Sequence, residues 1–456
     1  MSVKMKQSGI EWIGEIPEHW DLVKGKYLFT NIKEIVGKDS YRFKRLALTL
    51  NGIIERDKES SDGLQPINFD TYQIVRENNL IFKLIDLQNI STSRVGLTWS
   101  DGIMSSAYIR LVPVKNISIK FYENFYLMMW YYNIFNNLGD AGVRSNLNAT
   151  DLLNIQIPYP PIEEQRLIAV QLNQICGTLD NTKADIEKQI EVLNEYKKSL
   201  ITESVTKGLD KNVELKDSGV FYVQPFNKNW ELVKLGYICT ALERVFHPED
   251  TALICSNKGK VLIRPEEMRG AMMSTDSTMH GIHKGDIAIH GMDTWHGAIA
   301  VSDYDGKITK VVHVCKSEQD HRFIVYYLQQ LAFNGVYKYI SNGVRGNTSD
   351  FRSWNKVADI YITLPPIEEQ KEIADYLDSK CSEIDSIIET KKQQLELLEE
   401  YKKSIIYEYV TGKREVSAPI DEVTAPIDEV SAKPDFAVAQ NTQSVSIELA
   451  GDSHNE

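Results

Sequence analysis

The chain lacks the features that mark several large classes of protein. It has no run of about 18 apolar residues that could cross a bilayer as a helix, and its first residues contain no apolar signal-peptide core. Its five cysteines are an odd number without a Cys-x-x-Cys pair, which is typical of a reduced compartment and not of a disulfide scaffold. We therefore expect a cytoplasmic protein, and its 456 residues suffice for two or three domains.

The fingerprints of common catalytic sites are missing as well. No two of the 26 glycines are spaced Gly-x-Gly, so no dinucleotide-binding or S-adenosylmethionine-type turn is indicated. The sequence has no Walker A, His-Glu-x-x-His or Gly-x-Ser-x-Gly motif. The string nearest to the Asn-Pro-Pro-Tyr tetrad of adenine methyltransferases, at 157–161, has the wrong order. We expect a chain that is not an enzyme by itself.

The charge is unevenly distributed along the chain. The formal net charge is -13, but eight acidic residues and one lysine between 416 and 456 account for -7 of it. That segment also contains a tandem Ala-Pro-Ile-Asp-Glu-Val and almost no aromatic residues, a composition typical of disorder. Net charge therefore does not exclude a nucleic-acid partner for the remaining residues.

What the sequence does contain is an internal repeat. The interiors of the two halves, at about 30–140 and 240–340, show little similarity. Three motifs nevertheless occur twice: Pro-Pro-Ile-Glu-Glu-Gln at 160–165 and 365–370, Glu-Tyr-Lys-Lys-Ser at 195–199 and 400–404, and Trp-x-Leu-Val-Lys at 20–24 and 230–234. The chain is a duplication with a constant frame and variable inserts, a pattern that determines its architecture.

A heptad pattern follows each Pro-Pro. Apolar or tolerated residues recur in steps of four and three, at 168, 172, 175, 179, 182, 186, 189, 193, 196 and 200, and again 205 residues later. Ile190, Ile388 and Leu395 widen this stripe. The pattern predicts two coiled-coil helices of about 60 Å, since a helix rises about 1.5 Å per residue. The two helices are expected to pair antiparallel; the alternative is that each packs on its own domain.

The inserts contain short apolar runs separated by turn signals, together with two buried helices predicted at 121–135 and 323–333. The predicted fold class is α+β, with two mixed α/β domains separated by two long antiparallel coiled-coil helices in a pseudo-two-fold internal repeat. The predicted boundaries are 1–160 for the first domain, 161–210 for the first helix, 211–365 for a linker and the second domain, 366–412 for the second helix and 413–456 for a disordered acidic tail.

These residues resemble a known family. The segment Ser-Gly-Ile-Glu-Trp-Ile-Gly-Glu-Ile-Pro-Glu-His-Trp at 8–20, followed by two Pro-Pro-Ile-Glu-Glu-Gln helices, resembles the specificity subunit of type I restriction-modification systems. The resemblance extends from residue 8 to about 412. The second opening segment, 220–227, departs from the fuller form at 10–17.

The resemblance implies two target recognition domains that each read one half of an interrupted, asymmetric site in double-stranded DNA. It also implies that two methylation subunits and two restriction subunits are partners, and that S-adenosylmethionine, ATP and Mg²⁺ belong to them, with no cofactor in this chain. Two other classes stay open: an enzyme that acts alone, as a diverged nuclease or methyltransferase, and a coiled-coil scaffold without a nucleic-acid role.

A matched loop precedes each Pro-Pro helix and supplies the first candidate DNA contacts. It reads Gly-Val-Arg-Ser-Asn at 142–146 and Gly-Val-Arg-Gly-Asn at 343–347, and its candidate residues are Arg144, Asn146, Arg345 and Asn347. Because both inserts carry the same loop, phosphate positioning is expected of it and not base reading. The alternative is a structural arginine that pairs with a nearby carboxylate.

Base reading is expected from residues that differ between the inserts, because arginine to guanine and asparagine to adenine make bidentate contacts. The candidates are Lys83, Asn89, Thr92, Ser93 and Arg94 in the first insert, and His290, Asp293, Trp295, His296 and Arg352 in the second. A metal site built from His280, His283, Asp286, His290, Asp293 and His296 is a weaker alternative, because glycines divide this stretch into short loops. Trp20 and Trp230 are expected to be buried anchors and not base-stacking platforms.

Overall fold

The computed structural model describes residues 4–59, 68–85, 87, 94–138, 146–265, 278–341 and 350–416. The chain divides into unit 1, Met1–Asn181 with Leu397–Glu456, and unit 2, Thr182–Glu396. Each unit combines one insert with parts of both long helices. The predicted tail lies, from residue 417 onward, outside the described residues.

Unit 1 contains short strands followed by helices. Its strands are β1 (Met5–Gln7), β2 (Glu15–Pro17), β3 (Asp21–Lys24), β4 (Phe29–Asn31), β5 (Arg45–Thr49), β6 (Gly52–Arg56), β7 (Gln73–Val75), β8 (Leu80–Phe82), β9 (Val95–Leu97), β10 (Gly102–Met104), β11 (Ile109–Pro113) and β12 (Gln156–Tyr159). Its helices are α1 (Ile119–Tyr131), α2 (Ile134–Leu138) and α3 (Ala149–Asn154), and the long helix α4 (Ile162–Lys207) begins here and continues into unit 2.

Unit 2 repeats this layout. Its strands are β13 (Leu215–Lys216), β14 (Phe226–Asn227), β15 (Glu231–Lys234), β16 (Cys239–Leu242), β17 (Leu253–Ser256), β18 (Lys260–Ile263), β19 (Met279–Ile282), β20 (Ile287–His290), β21 (Ile299–Val301), β22 (Gly306–Thr309), β23 (Val312–Ser317) and β24 (Tyr361–Leu364). Its helices are α5 (Leu235–Ile238), α6 (His321–Phe333), α7 (Val336–Ile340) and α8 (Trp354–Ala358), followed by the second long helix α9 (Ile367–Val410).

The two dissimilar inserts contain the same sheet. Its strand order is β4-β11-β8-β9 in unit 1 and β16-β23-β20-β21 in unit 2. In each unit a helix covers one face, α1 against β9 and α6 against β21. Residues 287 and 289 face α6 while Ala288 packs into a second cluster on the opposite face, which explains the continuous apolar run of this strand. The prediction of mixed α/β inserts is confirmed.

A residue with positive φ ends the covering helix in each unit. The helix predicted at 121–135 is in fact two helices, because Asn133 has φ +54° between α1 and α2. Gly335 has φ +69° at the corresponding place between α6 and α7. A left-handed residue stops a helix and lets the chain change direction, a function that glycine and asparagine perform at low cost.

The paired tryptophans are buried anchors, as predicted. Trp20 is fully buried and meets Phe121 of α1 edge-on, with ring centroids 6.2 Å apart. Trp230 makes the same contact with Phe323 of α6 at 6.4 Å. The beginning of each half is therefore fixed to its covering helix by one aromatic pair.

The repeated glutamine explains why the Pro-Pro-Ile-Glu-Glu-Gln motif occurs twice. Gln165 is fully buried; its Nε2 donates to the Pro160 carbonyl at 2.8 Å, and its Oε1 accepts from the Ser118 amide at 3.0 Å. Gln370 makes the same two bonds, to the Pro365 carbonyl at 2.8 Å and from the Asp320 amide at 3.0 Å. Ser118 and Asp320 are the N-cap residues of α1 and α6. One side chain thus joins the start of a long helix to the start of the covering helix.

The long helices are antiparallel within each unit. In unit 1, Lys402 of α9 pairs with Asp180 of α4 at 2.6 Å. In unit 2, Lys197 of α4 pairs with Asp385 of α9 at 2.7 Å. In each pair a residue late in one helix meets a residue in the middle of the other, and the two pairs are equivalent under the repeat. The predicted antiparallel pairing is confirmed.

Both packing arrangements considered for the long helices occur together in unit 1. Ile168 and Leu172 of α4 are buried in the domain core of this unit, so α4 packs on its own domain. Ile405 and Ile406 of α9 lie in the same core, so the two long helices also meet there. None of the helices in the described ranges has the length and hydropathy needed to cross a bilayer.

Three of the ten predicted heptad positions in the first helix are wrong by one residue. The positions at 172, 179, 186 and 193 are buried or half-buried as predicted, but the half-buried positions between them lie at 183, 190 and 197, and the predicted 182, 189 and 196 are exposed. In the second copy Ile388 is 6% exposed and the predicted Ile387 is 46% exposed. Lys197 and Lys402 occupy seam positions because their alkyl stems pack there while their ammonium groups reach an aspartate.

We expect Gln165→Ala to lower the free energy of unfolding by roughly 1–3 kcal/mol, because the buried Ser118 amide and Pro160 carbonyl lose a partner. Urea denaturation of the full chain measures the shift. Glu163→Ala, at an exposed position of the same motif, is the control and is expected to change stability by less than about 0.5 kcal/mol. Equal effects of the two substitutions would contradict the assigned role of Gln165.

A double-mutant cycle on Lys402 and Asp180 tests the helix register. Lys402→Asp and Asp180→Lys are each expected to destabilise the chain, and their combination is expected to recover about 0.2–1 kcal/mol, the coupling typical of a largely exposed ion pair. The intrahelical pair Lys198 and Glu195, at 2.7 Å, provides a reference cycle on the same helix. A coupling of zero for Lys402 and Asp180 alone would argue against this register.

Candidate nucleic-acid interface

Of the two arginine loops, the structure describes only the last residue of the first, Asn146. Arg144 lies in 139–145, and Arg345 and Asn347 lie in 342–349, outside the described residues. Asn146 is described and is exposed. In unit 1 the loop leaves α2 and returns before α3, and in unit 2 it leaves α7 and returns before α8.

In both units a residue shortly after the arginine loop, Leu147 in unit 1 and Phe351 in unit 2, bonds to the variable hairpin of the sheet. The Leu147 amide donates to the Leu84 carbonyl at 3.0 Å, and Leu84 begins the connection from β8 to β9. The Phe351 amide donates to the Gly291 carbonyl at 3.0 Å, and Gly291 begins the connection from β20 to β21. In each insert the chain that leaves the common loop is therefore hydrogen-bonded to a connection that differs between the inserts.

In unit 2, close packing holds the backbone at Gly291 against the backbone at Phe351. A Cβ atom on Gly291 would lie 2.7 Å from the Phe351 carbonyl oxygen, so only glycine fits there. His313 Nε2 bonds to that same carbonyl at 2.7 Å, and its ring lies beside Trp354. Sequence reasoning missed His313, because an isolated histidine within a strand gives no signal of such a role.

In unit 1 the structure describes only part of the candidate set. Lys83 is half-buried, and its amide donates to the Arg94 carbonyl at 3.0 Å. The Arg94 side chain is 1% exposed, and its guanidinium donates to the Leu87 carbonyl at 2.8 Å. A guanidinium buried to this extent holds the shape of the connection. The other candidates, Asn89, Thr92 and Ser93, lie outside the described residues.

In unit 2 the structure brings four of the five candidates together. His290 Nδ1 accepts from the amides of Met292 and Asp293, at 3.3 and 3.1 Å, and so forms the turn after β20. Burial lowers the pKa of His290, and Asp293 opposes that effect only in part, so the imidazole is neutral at neutral pH. Asp293 and His296 are partly exposed in the same turn.

Arg352 reaches this turn from the arginine-loop side. Its Nη2 lies 3.0 Å from Met292 Sδ, and the residue is exposed. Trp295, by contrast, is half-buried against the core of unit 2. The exposed polar groups at this end of the sheet are therefore a carboxylate, an imidazole and a guanidinium, which are donors and acceptors suited to base edges.

The alternative metal cluster is dispersed. Asp286 accepts two bonds from Arg244, at 2.7 and 2.8 Å. His280 Nε2 bonds to the Val312 carbonyl at 2.9 Å, and His283 lies 3.2 Å from Asp305. Within the described ranges, no group of three histidine, cysteine, aspartate or glutamate residues is arranged to hold a metal ion.

Comparison with known proteins connects this arrangement to one family. The MjaVIII specificity subunit of a type I restriction enzyme from Methanocaldococcus jannaschii is 29% identical over 75% of this chain and 80% of its own length. A second protein of that organism, provisionally named as the MjaX specificity subunit of a type I restriction enzyme, is 26% identical over 88% of this chain and 95% of its own.

A solved chain shares the fold. It is described by the words "Structural basis underlying complex assembly and conformational transition of the type I R-M system", and its TM-score is 0.63 at 14% identity, over 88% of this chain and 99% of its own. The profile of the family described as "Type I restriction modification DNA specificity domain" matches residues 13–192 and again 227–397. These two matches cover both halves of the repeat, and the chain belongs to the family of type I restriction-modification DNA specificity subunits.

Proposed function

We propose that this chain reads a bipartite, asymmetric DNA site, with one half-site for each unit. The observation that carries the proposal is a hydrogen bond repeated at the end of each sheet, where a described residue that comes after the arginine loop in sequence, Leu147 or Phe351, bonds to a connection that differs between the units. A common loop suits the phosphate backbone, which is the same in every sequence, and a variable connection suits bases.

The candidate residues divide between these two tasks. Arg144, Asn146, Arg345 and Asn347 are proposed to hold phosphates. Base contacts are proposed for Lys83, Asn89, Thr92 and Ser93 in unit 1 and for Asp293, His296 and Arg352 in unit 2. The burial of Arg94, and the half-burial of His290 and Trp295, support a part in shaping the connections that carry those contacts.

The difference between the two connections is the reason to expect two different half-sites. Symmetric DNA readers recognise symmetric sites, because equivalent residues meet equivalent bases. Here the frame is repeated, but the β8–β9 connection spans 83–94 and the β20–β21 connection spans 291–298, with unrelated residues. We therefore expect the site to be interrupted and not palindromic.

The chain is proposed to act within an assembly in the cytoplasm. Its family, and the type I restriction enzymes and assemblies to which its relatives belong, support docking of methylation and restriction subunits, and we propose two of each. S-adenosylmethionine, ATP and Mg²⁺ are proposed to bind those partners. The absence of catalytic fingerprints from the sequence supports a non-catalytic role for this chain.

Co-expression with the neighbouring methylation subunit in a methylation-free host tests the proposed function. Single-molecule mapping of modified adenines is expected to give one interrupted, asymmetric motif. A palindromic motif would contradict the assignment of different half-sites to the two units. No new methylation, with subunits shown to be assembled and the methylation subunit shown to be active, would contradict the reading function itself.

Arg144→Ala and Arg345→Ala are each expected to weaken binding of the assembled complex to cognate and unrelated DNA alike. Each is also expected to reduce the slope of log K against log salt by about 0.9, since one phosphate contact is lost. Arg166→Ala, which removes an exposed guanidinium paired with Glu163 on α4, is the matched control. If Arg144→Ala and Arg345→Ala show the same dependence of log K on log salt as the wild type and the control, the two arginines do not contact phosphates.

A further inference from the structure

A second turn lies at the same end of each domain, and the candidate residues above do not include it. In unit 1, β5 and β6 form a hairpin closed by the pair Thr49 and Gly52, with Leu50 and Asn51 between them. In unit 2, β17 and β18 form a hairpin closed by Ser256 and Lys260, with 257–259 between them. We call these two connections the side turns.

In unit 2 the side turn borders the variable connection directly. A Cβ atom on Gly259 would lie 3.6 Å from the Ile299 carbonyl oxygen and would clash with the Gln329 side chain. Gln329 Nε2 donates to that same carbonyl at 2.8 Å. Ile299 is the first residue after 291–298, so the side turn and the variable connection are neighbours.

In unit 1 the hairpin packs against β9. Lys44, at the open end of the hairpin, lies over the ring of Trp99, beyond the end of β9. A Cβ atom on Gly96 would lie 2.7 Å from Leu48 and 2.9 Å from Ile53, the pair next to the turn. Trp99 Nε1 donates to the Ile53 carbonyl at 2.9 Å, so the end of the hairpin that carries the side turn lies against β9, the strand that follows the connection 83–94.

The side turns expose groups that the fold does not use. Leu50 is 56% exposed, and Asn257 and Lys258 are exposed. Among the described residues, no ion pair to an acidic side chain is found for Lys258, and 253–264 contains three basic residues and no acidic one. Asparagine is common in tight turns, so the turns themselves explain Asn51 and Asn257. They do not explain why Leu50 is exposed or why Lys258 has no acidic partner in the described part of the chain.

We propose that the side turns are a second DNA-contacting loop in each unit, with Lys258 on a phosphate and Leu50 against a base edge. The occupant is duplex DNA, because both turns continue the interface described above and the turn in unit 2 is basic. A leucine side chain can contact the methyl group of thymine in the major groove. Leu50–Asn51 and 257–259 differ, so they would contribute differently to the two half-sites. This inference rests on the proposed function.

Lys258→Ala in the assembled complex tests the phosphate contact. It is expected to weaken binding to the cognate duplex and to a duplex with scrambled half-sites by the same factor, and to reduce the salt slope by about 0.9. Lys316→Ala is the matched control: Lys316 is exposed, and the register of β23 with β20 places it at the opposite end of the same sheet. Its binding and slope are expected to equal those of the wild type.

Leu50→Ala tests the base contact. Its expected effect is a loss of preference at one base pair of one half-site, measured with duplexes substituted singly through the site. Val114→Ala is the control, because Val114 is 54% exposed just beyond the opposite end of β11 and is expected to leave every preference unchanged.

The outcomes separate this inference from the function on which it rests. If the wild-type complex prefers its site and Lys258→Ala and Leu50→Ala behave like their controls, the side turns do not contact DNA and the proposed function stands. If the wild-type complex prefers no sequence, both proposals fall. Loss of affinity in Lys258→Ala with a wild-type salt slope would also overturn the phosphate contact.

Discussion

Each domain depends on an amide side chain that is buried where two helices begin. Gln165 and Gln370 each accept a hydrogen bond from the N-cap amide of the covering helix and donate one to the proline carbonyl that precedes a long helix. Because the amide is buried, neither bond can be replaced by water without a rearrangement. The covering helix carries the sheet, so this one side chain fixes the orientation of the sheet to the long helix.

Because the buried glutamine fixes the sheet, the covering helix and the long helix relative to one another, the loops can differ in sequence without changing that arrangement. The strands of both sheets have the same order, and the covering helices contact the same strand, although the inserts have little sequence in common. Their cores are filled by different apolar residues at equivalent places, which close packing permits when volume and pattern are kept. The variation includes the connections after β8 and β20, at the end of the sheet, where a change of residue costs little stability.

Sequence alone could predict whatever depends on repeated motifs and on periodicity. The repeat, the antiparallel long helices and the buried tryptophans follow from such patterns. The shared strand order of the two sheets could not be predicted, because short strands that are buried on both faces show no alternation of polar and apolar residues. The sequence pattern placed one set of heptad positions a residue too early, because lysines such as Lys197 and Lys402 count as polar although their aliphatic chains pack at the helix–helix seam. The burial of Arg94 depends on the Leu87 carbonyl, a backbone group that no side-chain pattern reveals.

The discontinuity of unit 1 has a consequence for synthesis. Its core includes Ile405, Ile406, Tyr409 and Val410 of α9, whereas unit 2 is a single continuous segment. A ribosome that has finished residue 181 must add roughly 225 more before those side chains exist, which takes about 10 to 45 seconds at typical elongation rates. Throughout that interval the nascent first domain exposes the apolar face that α9 will cover. The domain that begins first on the ribosome is therefore completed last.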